Sequence, residues 1–155
     1  MHLLRPPFHR HPVYESPPLN IAWFAYTGGE GIFSSFLRIE EGWTDESPVI
    51  VTDPAAMPAS NRIAGACLRD FLRLGCRVHY DVLPDLLATA IAGNTESIAH
   101  FQSDDYPEWV SARDKKHLRR LSKAFGLTPL DNVADHIAEW QRVCLPQVAP
   151  PRDAG

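Results

Sequence analysis

Apolar and polar positions alternate in two ways along this chain, and the change of rhythm divides it. From Ile21 to Tyr26 and again from Ile32 to Ile39 the text is rich in aromatic and β-branched residues, which suits strands. Between them Thr27-Gly28-Gly29-Glu30-Gly31 is too long for a two-residue turn and suits a hairpin loop that needs positive φ. A third strand is expected over Pro48-Val49-Ile50-Val51-Thr52, after the polar connection "EEGWTDES". Proline is tolerated at its first position, where a donor can be spared.

Beyond residue 60 the period lengthens to that of a helix. "SNRIAGACLRDFLRLG" offers Ser60 or Asn61 as N-cap, a stripe of Ile63, Cys67, Leu68, Phe71 and Leu72, and Gly75 as a left-handed C-terminal cap. Arg62, Arg69, Asp70 and Arg73 then face water. A second helix follows Asp81, with Pro84 early, Leu83, Leu86, Leu87 and Ile91 inward, and Gly93 at its end; Glu96 to Phe101 adds a turn or two. "PEWVSARDKKHLRRLSKAFG" predicts a third helix from Pro107 to Gly126, with Leu118, Leu121 and Phe125 inward. "LDNVADHIAEWQRVC" predicts a fourth, capped by Asp131, with Val133, Ile137, Trp140 and Cys144 in line and Pro146 stopping it.

Strands first and helices after define an α+β fold: a mainly antiparallel sheet of three or more strands in the N-terminal half, packed by about four helices from the C-terminal half. Residues 1–20 hold five prolines without apolar periodicity and read as an extended or draped arm. The expected organisation is therefore an arm over 1–20, one α+β domain over 21–146, and a disordered tail over 147–155. At 155 residues the chain is long enough to bury a sizeable core.

Composition narrows the function. No apolar run approaches the roughly 20 residues of a membrane span, and the opening lacks the apolar stretch of a secretory signal, so cytoplasmic residence is expected. The net charge of −4 and pI near 5.9 argue against a general nucleic-acid binder. Charge is unevenly spread: from Val13 to Ser60 there are seven acids and one base, Arg38, whereas Lys115, Lys116, Arg119, Arg120 and Lys123 crowd one predicted helix.

Each catalytic pattern lacks a required part. "GGEG" leads into a strand, with Glu30 where phosphate would be repelled, so the glycine loop reads as a corner. Cys67, Cys76 and Cys144 form neither a disulfide framework nor a CxxC pair and read as small apolar residues. Cys76 and His79 are close enough in sequence for a thiolate pair, but Gly75 is expected to break the helix between them and nothing nearby orients the imidazole. Ser34 and Ser35 lie in a strand, not in a nucleophile elbow. His2, His9 and His11 on the arm lack the acid or cysteine partners of a zinc site, and no metal or cofactor is assigned.

Two surfaces remain. Glu30, Glu40, Glu41, Asp45 and Glu46 surround Trp43, an arrangement suited to capturing a basic protein: charge speeds encounter and the indole anchors. The five bases over 115–123 either form a solvated face or bind an anionic molecule.

"AYTGGEGIFSSFL", "SPVIVT", "IAGACLRDFLRLGCRVHYDVLPDLL" and "FGLTPLDNVADHIAEWQ" occur in an order that resembles bacterial members of the SUKH superfamily, over about residues 22–145. The resemblance implies an α+β domain with a mainly antiparallel sheet. It also implies a non-enzymatic immunity protein that binds and neutralises a partner toxin, often a nuclease. The proline-rich arm stands where the superfamily has its first helices, and no binding residue is carried over.

Overall fold

A computed structural model describes residues 2–3, 18–26, 31–39, 42–56, 60–103, 108 and 110–149. Five strands, β1 (His2–Leu3), β2 (Ile21–Tyr26), β3 (Phe33–Leu37), β4 (Val49–Thr52) and β5 (Asn61–Gly65), form one antiparallel sheet in chain order. Each strand pairs with the one just before it, the order of an antiparallel meander, although residues 4–20 separate β1 from β2. Five helices follow: α1 (Leu68–Val78), α2 (Leu83–Ile91), α3 (Thr95–Phe101), α4 (Ala112–Ala124) and α5 (Val133–Cys144). The α+β architecture expected from the strand-then-helix order is the one observed.

All four residues of β4 are buried, and Val49, Ile50 and Val51 stand at the centre of the core. Phe24 meets Phe36 of the neighbouring strand at 4.6 Å between ring centroids and Phe71 of α1 edge-on at 5.6 Å. Phe71, Leu74 and Val78 of α1, Leu83, Leu86 and Leu87 of α2, and Ile137 of α5 complete the interior. On α5 the expected line of Val133, Ile137, Trp140 and Cys144 is the buried one.

Residues 60–66 depart from expectation. They form β5, not the first turns of a helix. Ile63, Cys67 and Phe71 fit a helical period, but pairing with β4 satisfies the backbone of 61–65 across the sheet, and tertiary pairing outweighs local period. The Thr52 hydroxyl donates to Asn61 Oδ1 at 2.7 Å, and Arg62, buried and not solvated, lies 3.8 Å from Asp53. Gly65 ends the strand where an added Cβ would stand 2.6 Å from the Phe71 amide nitrogen.

The free edge of β5 is covered by a side chain. Gln141 of α5 accepts from the Ile63 amide at 2.9 Å and donates to the Ile63 carbonyl at 2.8 Å. One carboxamide thus stands in for a sixth strand at that point, blunting an edge that would otherwise invite pairing.

Gly75 lies inside α1, which runs on to Val78, so it does not break the helix. Its role is room: an added Cβ would fall 2.0 Å from the ring of Tyr80, which closes back over it. His79 takes the positive φ, 77°, at the helix end. Gly93 and Gly126 do hold positive φ after α2 and α4, as the pattern of helix ends suggests. α4 begins at Ala112, so Glu108, Val110 and Ser111 of the third predicted helix stand outside it and Pro107 lies outside the described residues; Ser111 caps the helix, its hydroxyl accepting from the Asp114 amide at 3.1 Å. Asn132, with φ of 50°, precedes α5 in place of Asp131. Ile91 and Phe125, expected inward, are 51% and 57% exposed.

The chain ends of the domain meet. Asn20 donates to the carbonyls of Arg38 and Gln147 and accepts from the Ala149 amide. Gln147 to Ala149, which fall in the expected tail, are attached to the fold here. Of the expected arm, His2 and Leu3 pair with Tyr26 and Ala25, and 18–20 lead into β2; residues 4–17 and 150–155 lie outside the described set.

Candidate functional site

The turn between β3 and β4 is fixed from both sides. Within it the Thr44 amide donates to Ser47 Oγ at 3.0 Å, the Ser47 amide to the Thr44 carbonyl at 3.1 Å, and the Glu46 amide to Thr44 Oγ1 at 3.2 Å. Serine and threonine at these offsets form such turns because their short hydroxyls reach backbone two or three residues away. The Asp45 carbonyl then accepts from the Leu68 amide at 2.8 Å. Cys67, at the N-cap of α1, contributes no side-chain cap, so this contact satisfies one of the orphan donors of that helix. The acidic turn is thereby fastened to α1 by backbone.

Trp43 is 46% exposed on this turn. The guanidinium of Arg38 lies over its ring, 5.9 Å from the centroid, which holds the indole on one face and leaves the rest to solvent. Asp45 and Glu46 are exposed, and neither has an ion pair with another described residue. Leu19 and Ile39 are 54% and 49% exposed just beyond β2 and β3: the Arg38 amide donates to the Asn20 carbonyl at 2.8 Å, which extends the β2–β3 ladder and brings the two residues level. Of the residues expected at this surface, the structure places Trp43, Asp45 and Glu46 together. Glu30, Glu40 and Glu41 lie outside the described residues. Leu19 and Ile39 are not among the residues expected at this surface: Ile39 closes the second predicted strand, and Leu19 stands two residues before the first.

On the second expected surface, Lys115, Lys116, Arg119, Arg120 and Lys123 all lie on α4, joined there by Arg113. No residue of α4 is buried; Leu118 and Leu121 are half-covered where the helix rests on the fold.

The features considered for catalysis are occupied otherwise. The Cys76 sulfur is 3.5 Å from the Tyr80 hydroxyl, and burial pushes its thiol pKa up, partly offset by that contact. A raised pKa disfavours the thiolate that nucleophilic attack requires. His79 Nδ1 accepts from the Asp81 amide at 3.3 Å and lies 3.6 Å from its carboxylate. Burial lowers the pKa of His79, with Asp81 opposing. Ser34 and Ser35 are both buried in β3, so neither faces solvent, and Ser35 Oγ has no hydrogen-bond partner. Among the described residues no group of three or more His, Cys, Asp or Glu side chains is placed to hold a metal. No described helix is long and apolar enough to cross a membrane.

A groove of about 220 Å³ runs between α1 and the 129–133 segment, lined by Arg73, Leu74, Arg77, Val78, Gln102, Pro129, Leu130 and Val133. It is smaller than ordinary small-molecule pockets, which run from about 300 Å³ upward. Its two guanidiniums are engaged on its own walls: Arg73 donates to the Thr128 and Pro129 carbonyls at 2.8 and 3.1 Å, and Arg77 to the Gln102 carbonyl at 2.6 Å. Arg73, expected to face water, is a bolt between elements.

Comparison with family models, with curated proteins and with solved structures returns no match for this chain.

Proposed function

We propose that this chain is a non-catalytic protein-binding domain whose docking surface is the Trp43 turn. The observation that carries the reading is the exposure of Trp43 on a turn locked by backbone to α1, with the carboxylates of Asp45 and Glu46 free beside it. A rigid, exposed indole is a strong anchor because little side-chain freedom is lost when it is covered. The acids select a cationic partner by complementarity and speed its approach.

Binding here would act by covering the partner's own working surface. Together with the SUKH resemblance, this supports an immunity role, in which the partner is a toxin domain such as a nuclease, whose substrate-binding face is necessarily cationic. The raised thiol pKa of Cys76 and the small, self-occupied groove agree with a protein that works by contact.

The test is quantitative affinity capture from the native host, comparing the unmodified chain with Trp43→Ala and with the double reversal Asp45→Lys/Glu46→Lys. A protein held by the unmodified chain should bind the Trp43→Ala variant about tenfold or more weakly, as expected for a central anchor. The reversal should slow association and flatten its salt dependence. Equal affinity across all three proteins removes this surface from the function.

A further inference from the structure

The outer face of α4 is a concentration of unneutralised charge. The helix has six bases and a single acid in a chain whose net charge is −4, and that acid, Asp114, accepts from the Ser111 hydroxyl at the helix cap. Arg113, Lys116, Arg119, Arg120 and Lys123 are exposed, and none has an ion pair or hydrogen bond to a described side chain. Arg113, Lys116, Arg120 and Lys123 follow one another at three- and four-residue steps, a straight row with one cation per turn, about 5.4 Å apart along the axis.

We propose that this face is a second docking surface, distinct from the Trp43 turn, and that its occupant is an acidic helix of a protein partner. Carboxylates on a helix at the same three- and four-residue steps repeat at the same rise, so each can meet one cation while the two axes lie side by side. The row is short, about 15 Å from Arg113 to Lys123, and the rest of the chain carries the negative excess. A long polyanion such as duplex DNA needs a longer cationic path than this row, whereas one partner helix matches its length.

The experiment uses the full chain and three labelled probes followed by fluorescence anisotropy at about 0.15 M salt. One is a helical peptide with glutamates on a single face, the second the same composition with glutamates spread around the helix, the third a duplex oligonucleotide. The one-faced peptide should bind about tenfold or more tightly than the scrambled peptide and more tightly than the duplex. Lys116→Glu/Arg120→Glu should weaken it by a further tenfold or so, and Trp43→Ala should leave it unchanged. The neutral pair Lys116→Gln/Arg120→Gln, which adds no repulsion, should give a smaller loss in the same direction and serves if the reversed pair folds poorly. Equal binding of the two peptides, tighter binding of the duplex, or indifference to both variants overturns the proposal. So does salt-sensitive self-association in sedimentation, which would make the occupant a second copy of this chain. Because Trp43 is varied separately, failure here leaves the reading of the Trp43 turn standing, and the reverse.

Discussion

α1 and α4 pack against each other, and both display a row of bases at helical spacing, yet they use them in opposite ways. On α1, Arg69, Arg73 and Arg77 are four residues apart and all donate to backbone carbonyls: Arg69 to Gly126 at 2.9 Å, Arg73 to Thr128 and Pro129, Arg77 to Gln102. Gly126 and Gln102 lie at the C-terminal ends of α4 and α3, where carbonyls lack helical partners and the helix dipole favours a cation. The α1 row is an internal fastening. On α4, Arg113, Lys116, Arg120 and Lys123 make no ion pair or side-chain hydrogen bond with another described residue. Bases spaced along one helix face are structural in one helix and available in the other, and the difference is where neighbouring helices happen to end.

That contrast can be broken first at the packing beneath the charges. Phe71 of α1 is 1% exposed and meets Phe24 and Tyr80, so Phe71→Ala should cost about 3–5 kcal/mol in chemical denaturation. Leu121 of α4 is half-covered, and Leu121→Ala should cost no more than about half of that, since a partly exposed site loses less transfer energy and opens no closed cavity. Comparable losses would mean that α4 is as deeply anchored as α1.

The charges come next. Arg73→Ala removes donors from two loop carbonyls and an ion pair with Asp70 at 3.3 Å, and should destabilise by about 1–3 kcal/mol while loosening the 128–130 segment in hydrogen exchange. Arg120→Ala should stay within about 0.5 kcal/mol. If Arg120→Ala destabilises as much as Arg73→Ala, the α4 row is a fastening too, and the docking proposal loses its basis.

This pair also shows how far the residues alone could be read. The α4 row is legible because its spacing, its N-terminal serine and its closing glycine all lie within one segment. Arg69 and Arg73 of the α1 row are expected in water because the carbonyls they serve, at 126, 128 and 129, are 55 to 57 residues away in the chain. The same limit hid β5: Asn61–Gly65 is a strand only because Val49–Thr52 waits beside it, and Gln141, 78 residues on, seals its outer edge. Gly75 was assigned to a helix end, where glycine is common, when its neighbour Tyr80 requires it in the interior. At the candidate site, the aromatic and the acids of the β3–β4 connection could be seen, but the backbone bond from Leu68 to Asp45 that makes the turn rigid could not. Local patterns carried the element types; contacts between distant segments decided which faces are free.

The smallest expected effect tests the end of α1, where the helix gives way to its turn. His79 is partly buried beside Val78 and Tyr80, and burial lowers its pKa, with Asp81 opposing. An imidazole whose folded pKa lies below its unfolded value of about 6.5 binds protons more readily in the unfolded chain. The native state therefore keeps its full contribution from this group above about pH 6.5 and loses some of it as pH falls from there toward the folded pKa. Below the folded pKa both states are protonated and the loss levels off. The urea midpoint should accordingly decline between about pH 7.5 and 5.5, and His79→Asn should flatten that slope, since asparagine tolerates the φ of 77° and cannot titrate. On α4, Asp114 at the helix's first turn acts on His79 in the same sense as Asp81. The double variant Lys116→Gln/Arg120→Gln should thus leave the pH dependence as it is. A slope that follows the α4 bases in place of His79 would tie the two helices electrostatically and erase the distinction between a fastened row and a free one.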